Sequence, residues 1–470
     1  MPRKRRKRAS GGREAPLASP ATAPQDAAPR DVGGGIAAGF LVLAIAAAGL
    51  FVDSGADAAF DAPKRLVTLL CAAAAAFAAF GFSRWTSPFT GPSTRRATAS
   101  GAAAILVLAA CGAALLAALA SPRRALSLDA ARGLFLYALF LPLGASRVVE
   151  KKKTLLLAAF LAVAAINAAV STLQARGTYG PFSLITQENR NVTGAYVGNA
   201  GSLALVLALS AVASIGLALL SERLPLRVAA WAATAAFAAG LLVNRNLTSW
   251  SALLAGAGIL LIARFGRRAA APILLAVLLT GVAVLAYSPM RHRAAEALSA
   301  IRAREWDRVF TYRLGAWAAA IEMTKERPLA GFGPGTYGAE LVPHRLRAEI
   351  ETRRRLANPL ATSAYAEAHC DYLQVFAEAG IPAALALIVA VALVFRGLLA
   401  ASRRLPRGQD RGEAVFLLAF LGAGAVAALT WFPLQRPLSA VPLLLAAGRA
   451  WRMSSPPAGS AEIREAKGEP

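Results

Sequence analysis

The chain has 470 residues, 57% of them hydrophobic, and carries 51 Lys and Arg against 26 Asp and Glu, a formal charge of +25. A soluble domain is about 45–50% apolar; here the surplus falls in blocks of roughly 17–25 Ala, Leu, Val and Gly residues, the length a helix needs to cross a hydrocarbon core, which excludes a soluble fold and makes this an all-α polytopic membrane protein. The positive charge flanks those blocks, where it sets topology, so no nucleic-acid partner is expected, and the three cysteines have neither metal-ligand spacing nor the pattern of a disulfide framework.

Residues 1–33 open with a basic run, MPRKRRKR, and continue in Ala, Pro, Gly and Ser. Such a segment cannot bury a core and is expected to be a disordered cytoplasmic tail with no cleavable signal peptide. Apolar blocks then predict spans near 34–52, 66–82, 99–120, 126–146, 154–173, 195–220, 227–243, 247–263, 269–288, 379–400, 413–431 and 437–451, about twelve in all. Nine of these occupy 34–288 and three occupy 377–451. Residues 289–376 form a long polar interval between them, and 452–470 a short disordered tail.

Charge fixes the expected orientation. One set of connections carries Arg84, Arg95, Arg96, then Arg147 and Lys151 to Lys153, then Arg223 and Arg227, then Arg264, Arg267 and Arg268, then Arg396, Arg403, Arg404, Arg407 and Arg411. The opposite short connections carry only Lys64, Arg65, Arg123, Arg124, Arg176, Arg190, Arg245 and Arg436. The richer set is cytoplasmic by the positive-inside rule. Both termini are then cytoplasmic, and the 289–376 interval lies on the outer side of the membrane.

That interval holds all three histidines, His292, His344 and His369. Residues 293–326 have helical character, with Arg313 and Trp317 four apart on one face, and Pro328 ends the stretch. Gly331, Gly333 and Gly335 follow at alternate positions before Tyr337. The turn reads either as a helix cap with a tight turn or as a loop whose N–H groups approach a ligand. His369 lies shortly before a span that Pro382 can open. It is either a hydrogen-bonded structural residue or a proton acceptor near neutrality. Two further polar patches, around Arg190 and Asn191 and around Arg245, fall on the same face in this topology. Arginines gathered there would suit phosphate oxygens.

The order R-x3-W, P-L-x-G-x-G-x-G-x-Y and H-x-D-Y-L-Q-x3-E-x-G is carried by Arg313, Trp317, Pro328, Leu329, Gly331, Gly333, Gly335, Tyr337, His369, Asp371, Tyr372, Leu373, Gln374, Glu378 and Gly380. With the Asn189 to Asn191 patch and Phe432-Pro433-Leu434-Gln435, it resembles the O-antigen ligase / O-antigen polymerase superfamily over roughly residues 180–450. The chain departs from the family at Cys370, where an Asn is usual, and at Trp250, where an Arg is common; Arg245, about one turn away, would stand in for that arginine.

The resemblance implies a GT-C-like membrane fold with one large periplasmic loop containing helices between spans nine and ten. It further implies a glycosyltransferase of the bacterial inner membrane that needs no metal or cofactor. Its partners would be membrane lipids, a polyprenyl pyrophosphate-linked glycan donor, and an acceptor hydroxyl on lipid A–core, on a growing glycan or on a protein. Arg313 and His369 would be catalytic, and Arg245, Arg190, Asn191, Gly331, Gly333, Gly335, Tyr337 and Tyr372 substrate-binding. The competing class, a polysaccharide transporter, would show paired charges in mid-membrane and broken helices in related halves; the sequence has few such charges and no matching halves.

Overall fold

The computed structural model describes residues 32–53, 55–56, 59–81, 99–178, 193–356, 366–406 and 408–454. Among them it is all-helical, with no strand. In chain order the helices are α1 (Val32–Leu50), α2 (Ala62–Gly81), α3 (Ala99–Leu119), α4 (Arg124–Ala138), α5 (Phe140–Ala145), α6 (Arg147–Ala175), α7 (Ala200–Leu220), α8 (Leu224–Asn244), α9 (Leu247–Phe265) and α10 (Ala270–Ala286). The polar interval follows as α11 (Ser288–Arg302), α12 (Trp306–Val309), α13 (Leu314–Glu326) and α14 (Tyr337–Thr352). The chain returns to apolar helices with α15 (Asp371–Arg404), α16 (Gln409–Ala427) and α17 (Pro437–Ser454).

Each of the twelve expected spans falls on helix, but nine stretches among the described residues are long and apolar enough to cross a membrane. α9 and α10 form one of the nine, the 40-residue stretch Leu247–Ala286. A 3-10 turn at Gly266–Ala269 breaks it, with Gly266 at φ +56° and Arg264, Arg267 and Arg268 clustered at the break. α16 and α17 do not qualify, because Asp410, Arg411 and Glu413 open the first and Arg449 and Arg452 close the second.

α7 is apolar on every side and carries no charge. A helix of that pattern belongs inside, and it is buried over almost its whole length against α6, α8, α9, α16 and α17. α10 has the same composition and buries none of its residues. Leu274, Leu275, Leu278, Leu279, Val282 and Leu285 all face outward, as befits a helix in lipid.

The helical character read over 293–326 resolves into three pieces. Arg304, Thr311 and Tyr312 take φ of +57°, +54° and +58°, which an α-helix cannot accommodate. In α15 the helix is interrupted at Gly380 (φ 81°, ψ 170°). A Cβ there would lie 2.4 Å from the Leu329 carbonyl oxygen, so only glycine fits, and Pro382 then opens the long apolar segment.

An ion network ties α6, α16 and α17 together. Glu413 accepts from Arg449 Nε at 2.6 Å and from Lys153, while Arg449 also meets Glu150 at 3.5 Å. Arg449 is buried. Glu413→Ala removes the carboxylate that Lys153 shares and the nearer of the two that meet the buried Arg449, and is expected to destabilise the fold by about 3–5 kcal/mol, read as thermal unfolding in nanodiscs. Removing Arg452, which meets Glu150 at 3.7 Å on the exposed rim, should cost about 0–1 kcal/mol.

Candidate functional site

The α16–α17 connection places Trp431 and Phe432 side by side, stacked at 4.6 Å between ring centroids and 16° between planes. Both are buried. The His369 ring meets both rings edge-on, at 5.4 Å from Trp431 and 4.9 Å from Phe432. From the other side of the sequence, Arg313 caps α13, donates to the Thr430 carbonyl at 3.0 Å and sets its guanidinium 5.1 Å from the Trp431 ring. Two residues 56 positions apart in sequence thus share one aromatic platform.

His369 takes φ +55°, a left-handed conformation costing roughly 1–3 kcal/mol in a non-glycine residue. The following residues hold it there. Asp371 accepts from Leu434 N at 3.0 Å and donates its own N–H to Ala428 O at 3.1 Å, fastening the start of α15 to the platform loop. His369 Nδ1 lies 3.0 Å from the Glu367 carbonyl. A carbonyl only accepts, so Nδ1 carries the proton and Nε2 is the acceptor nitrogen of the neutral ring. Burial, with Arg313 and Arg436 nearby, pulls the imidazole down from its usual value to about 4.

Arg436 closes the other side. Its guanidinium lies 5.1 Å from the Phe432 ring, donates to Glu367 Oε1 at 3.0 Å and meets Asp61 Oδ2 at 3.3 Å. Asp61 also accepts from Arg65 Nε at 2.9 Å, and Arg65 donates to Gln435 O at 2.7 Å. The result is a neutral imidazole with one guanidinium beside each ring of its aromatic platform. That arrangement can neutralise an anion and accept a proton at the same place.

The other residues singled out in the sequence lie elsewhere. Arg245 is exposed at the end of α8 and lines a separate cleft of about 360 Å³ with Ser288, Pro289, His292, Arg293 and Glu296. Trp250 is buried in the apolar core around α7. Tyr337 is fully buried, its hydroxyl donating to Ala316 O at 2.7 Å. Tyr372 donates to Ala425 O at 3.1 Å and joins α15 to α16. Arg190 and Asn191 lie outside the described residues.

The glycine turn is packed against protein. Phe332 and Gly333 donate to the Ala377 and Glu378 carbonyls at 3.0 and 2.8 Å. Glu378 Oε1 accepts from Tyr337 N at 3.1 Å. Gly331, at φ +63°, would place a Cβ 2.5 Å from the Glu378 backbone, and Gly333, at φ +99°, 2.3 Å from Ser127 Oγ.

Sequence reasoning passed over Arg436, Lys64, Arg65, Asp61, Glu367 and Trp431. Lys64, Arg65 and Arg436 were visible as exceptions to the charge asymmetry, basic residues on the side where few are expected. The structure puts Arg65 and Arg436 on one carboxylate. Among the described residues no group of three or more His, Cys, Asp or Glu is placed to hold a metal ion.

No curated protein matches the chain. Residues 232–388, from α8 into α15, match the family model described as O-antigen ligase. That segment contains both Arg313 and His369, and over it the chain is similar to that family.

Proposed function

We propose that the chain transfers a glycan from a polyprenyl pyrophosphate to a sugar hydroxyl, on the periplasmic side of the bacterial inner membrane. The family match supports a ligase-type enzyme of polysaccharide assembly. The observation that carries the finer reading is the shared platform of Arg313, His369, Trp431 and Phe432.

The acceptor oxygen forms a new bond to the anomeric carbon as the bond to the diphosphate oxygen breaks. The electron pair leaves with the diphosphate, where negative charge develops. Arg313 meets that charge, within the field of Arg436. The hydroxyl proton passes to His369 Nε2. This nitrogen is a weak base, because burial and two guanidinium groups oppose its protonation. A bound diphosphate offsets that positive field and raises the basicity of the imidazole when it is needed.

The acid limb of kcat/KM, which reports the free enzyme, should therefore fall near pH 4, not at the usual histidine value of about 6.5. The limb of kcat should lie higher, because the donor is then bound. Arg313→Ala should move the kcat/KM limb upward. Folding follows the same sign. The depressed imidazole pKa contributes stability that is complete above about pH 6.5 and is lost as pH falls toward about 4.

The test is turnover of a polyprenyl pyrophosphate-linked glycan by the chain in reconstituted vesicles. His369→Ala is expected to lose transfer by about 10²–10⁴-fold. Wild-type turnover by a correctly inserted His369→Ala protein would remove the reading.

A further inference from the structure

Beside Arg436, between α1, α2, α7 and α17, lies a cavity of about 210 Å³ whose lining includes Asp61, Lys64, Asn199, Ser202, Arg436 and Ser439. Pockets for drug-sized ligands run roughly 300–1,000 Å³, so this one fits a small group and not a glycan. Lys64 is 2% exposed. Its ammonium donates to the Tyr196 carbonyl and lies 5.5 Å from the Phe60 ring centroid. The carboxylate sharing its cavity, Asp61, is already bonded by Arg65 at 2.9 Å and Arg436 at 3.3 Å. Lys64 and Arg436, the latter bonded to Asp61 and Glu367, are the basic residues of the lining.

The Asn199 side chain caps α7 by accepting from Ser202 N at 3.0 Å, so the positive end of a 21-residue helix opens at the cavity. A buried ammonium, a guanidinium and a helix N-terminus together are phosphate-binding chemistry. The remaining wall, Ala48, Val206 and Leu438, is apolar.

We infer that this cavity binds a phosphate group, at a second anion seat beside the Arg313–His369 platform, with Lys64 as its principal cation. A lipid headgroup and free phosphate present the same chemistry. The inference does not depend on glycan transfer, because phosphate binding is read without a donor.

The experiment is thermal unfolding of the full chain in nanodiscs of neutral lipid, with inorganic phosphate added in one arm and phosphatidic acid built into the disc in the other. Wild type is expected to melt higher in at least one arm. A rise with phosphatidic acid alone identifies a lipid headgroup, and a rise with inorganic phosphate alone identifies the free ion. Lys64→Met should weaken the apparent affinity by at least about tenfold, and Lys64→Arg should keep it. Asn199→Asp preserves the helix cap while adding a carboxylate to the lining, and should abolish the rise; it decides alone if Lys64→Met does not fold. Arg313→Ala should retain the rise, which separates this seat from the platform. The inference is overturned by no rise for wild type in either arm, by a wild-type rise in either folded cavity variant, or by loss of the rise in Arg313→Ala.

Discussion

Arg313→Ala is expected to slow glycan transfer by about 10²–10³-fold, the usual loss when one group stabilising developing negative charge is removed. The side chain is partly buried, held by the Thr430 carbonyl at 3.0 Å and by the Trp431 face. Removing it should cost the fold only about 1–2 kcal/mol, so abundance and melting temperature should stay close to wild type while transfer falls. Arg313→Lys should recover part of the rate. It keeps the charge but not the planar fork that pairs with two oxygens at once. An Arg313→Ala protein with undiminished transfer would show that the leaving group is neutralised elsewhere.

Trp431→Ala should be the most damaging single change in the platform for stability, at about 3–5 kcal/mol, and should abolish transfer as well. Its ring is buried, stacks on Phe432, and is met by both His369 and Arg313. It also lies over Gly201 in α7, where a Cβ would come within 2.5 Å of the indole. Trp431→Phe should keep most of the stability and lose more of the activity, because a smaller ring fills much of the volume but seats the imidazole and guanidinium less firmly. Thermal unfolding and transfer measured on the same preparations distinguish the two effects. Equal transfer in Trp431→Ala and wild type would mean that the platform is packing alone.

The apolar spans were legible in the sequence because length and composition carry nearly all the information a lipid-exposed helix needs. α10 is the clearest case, a run of Leu and Val that buries nothing. α16 and α17 were read as spans from their apolar stretches; their charged ends instead join in the Glu413–Arg449 network, a tertiary fact no periodicity displays. Arg313 and His369 were singled out through motif order. Their proximity was not, since it depends on a loop between α16 and α17 and on the left-handed turn at His369. Arg436 and Lys64 looked like ordinary flanking charges, and only their placement on the sparsely charged side marked them out. The glycine turn allowed two readings. The structure favours packing for Gly331 and Gly333, whose missing side chains admit the Glu378 backbone and Ser127. Tyr337 and Tyr372, marked for substrate, donate to the carbonyls of Ala316 and Ala425 and hold helices together.

The most direct measurement is a double-mutant cycle on transfer from a polyprenyl pyrophosphate-linked glycan, with Arg313→Ala, His369→Ala and the pair together. Residues acting on one transition state are strongly non-additive. The double variant should therefore be no more than about tenfold slower than the slower single variant. A double variant slowed by the full product of the two single losses would contradict a single site shared by the two residues.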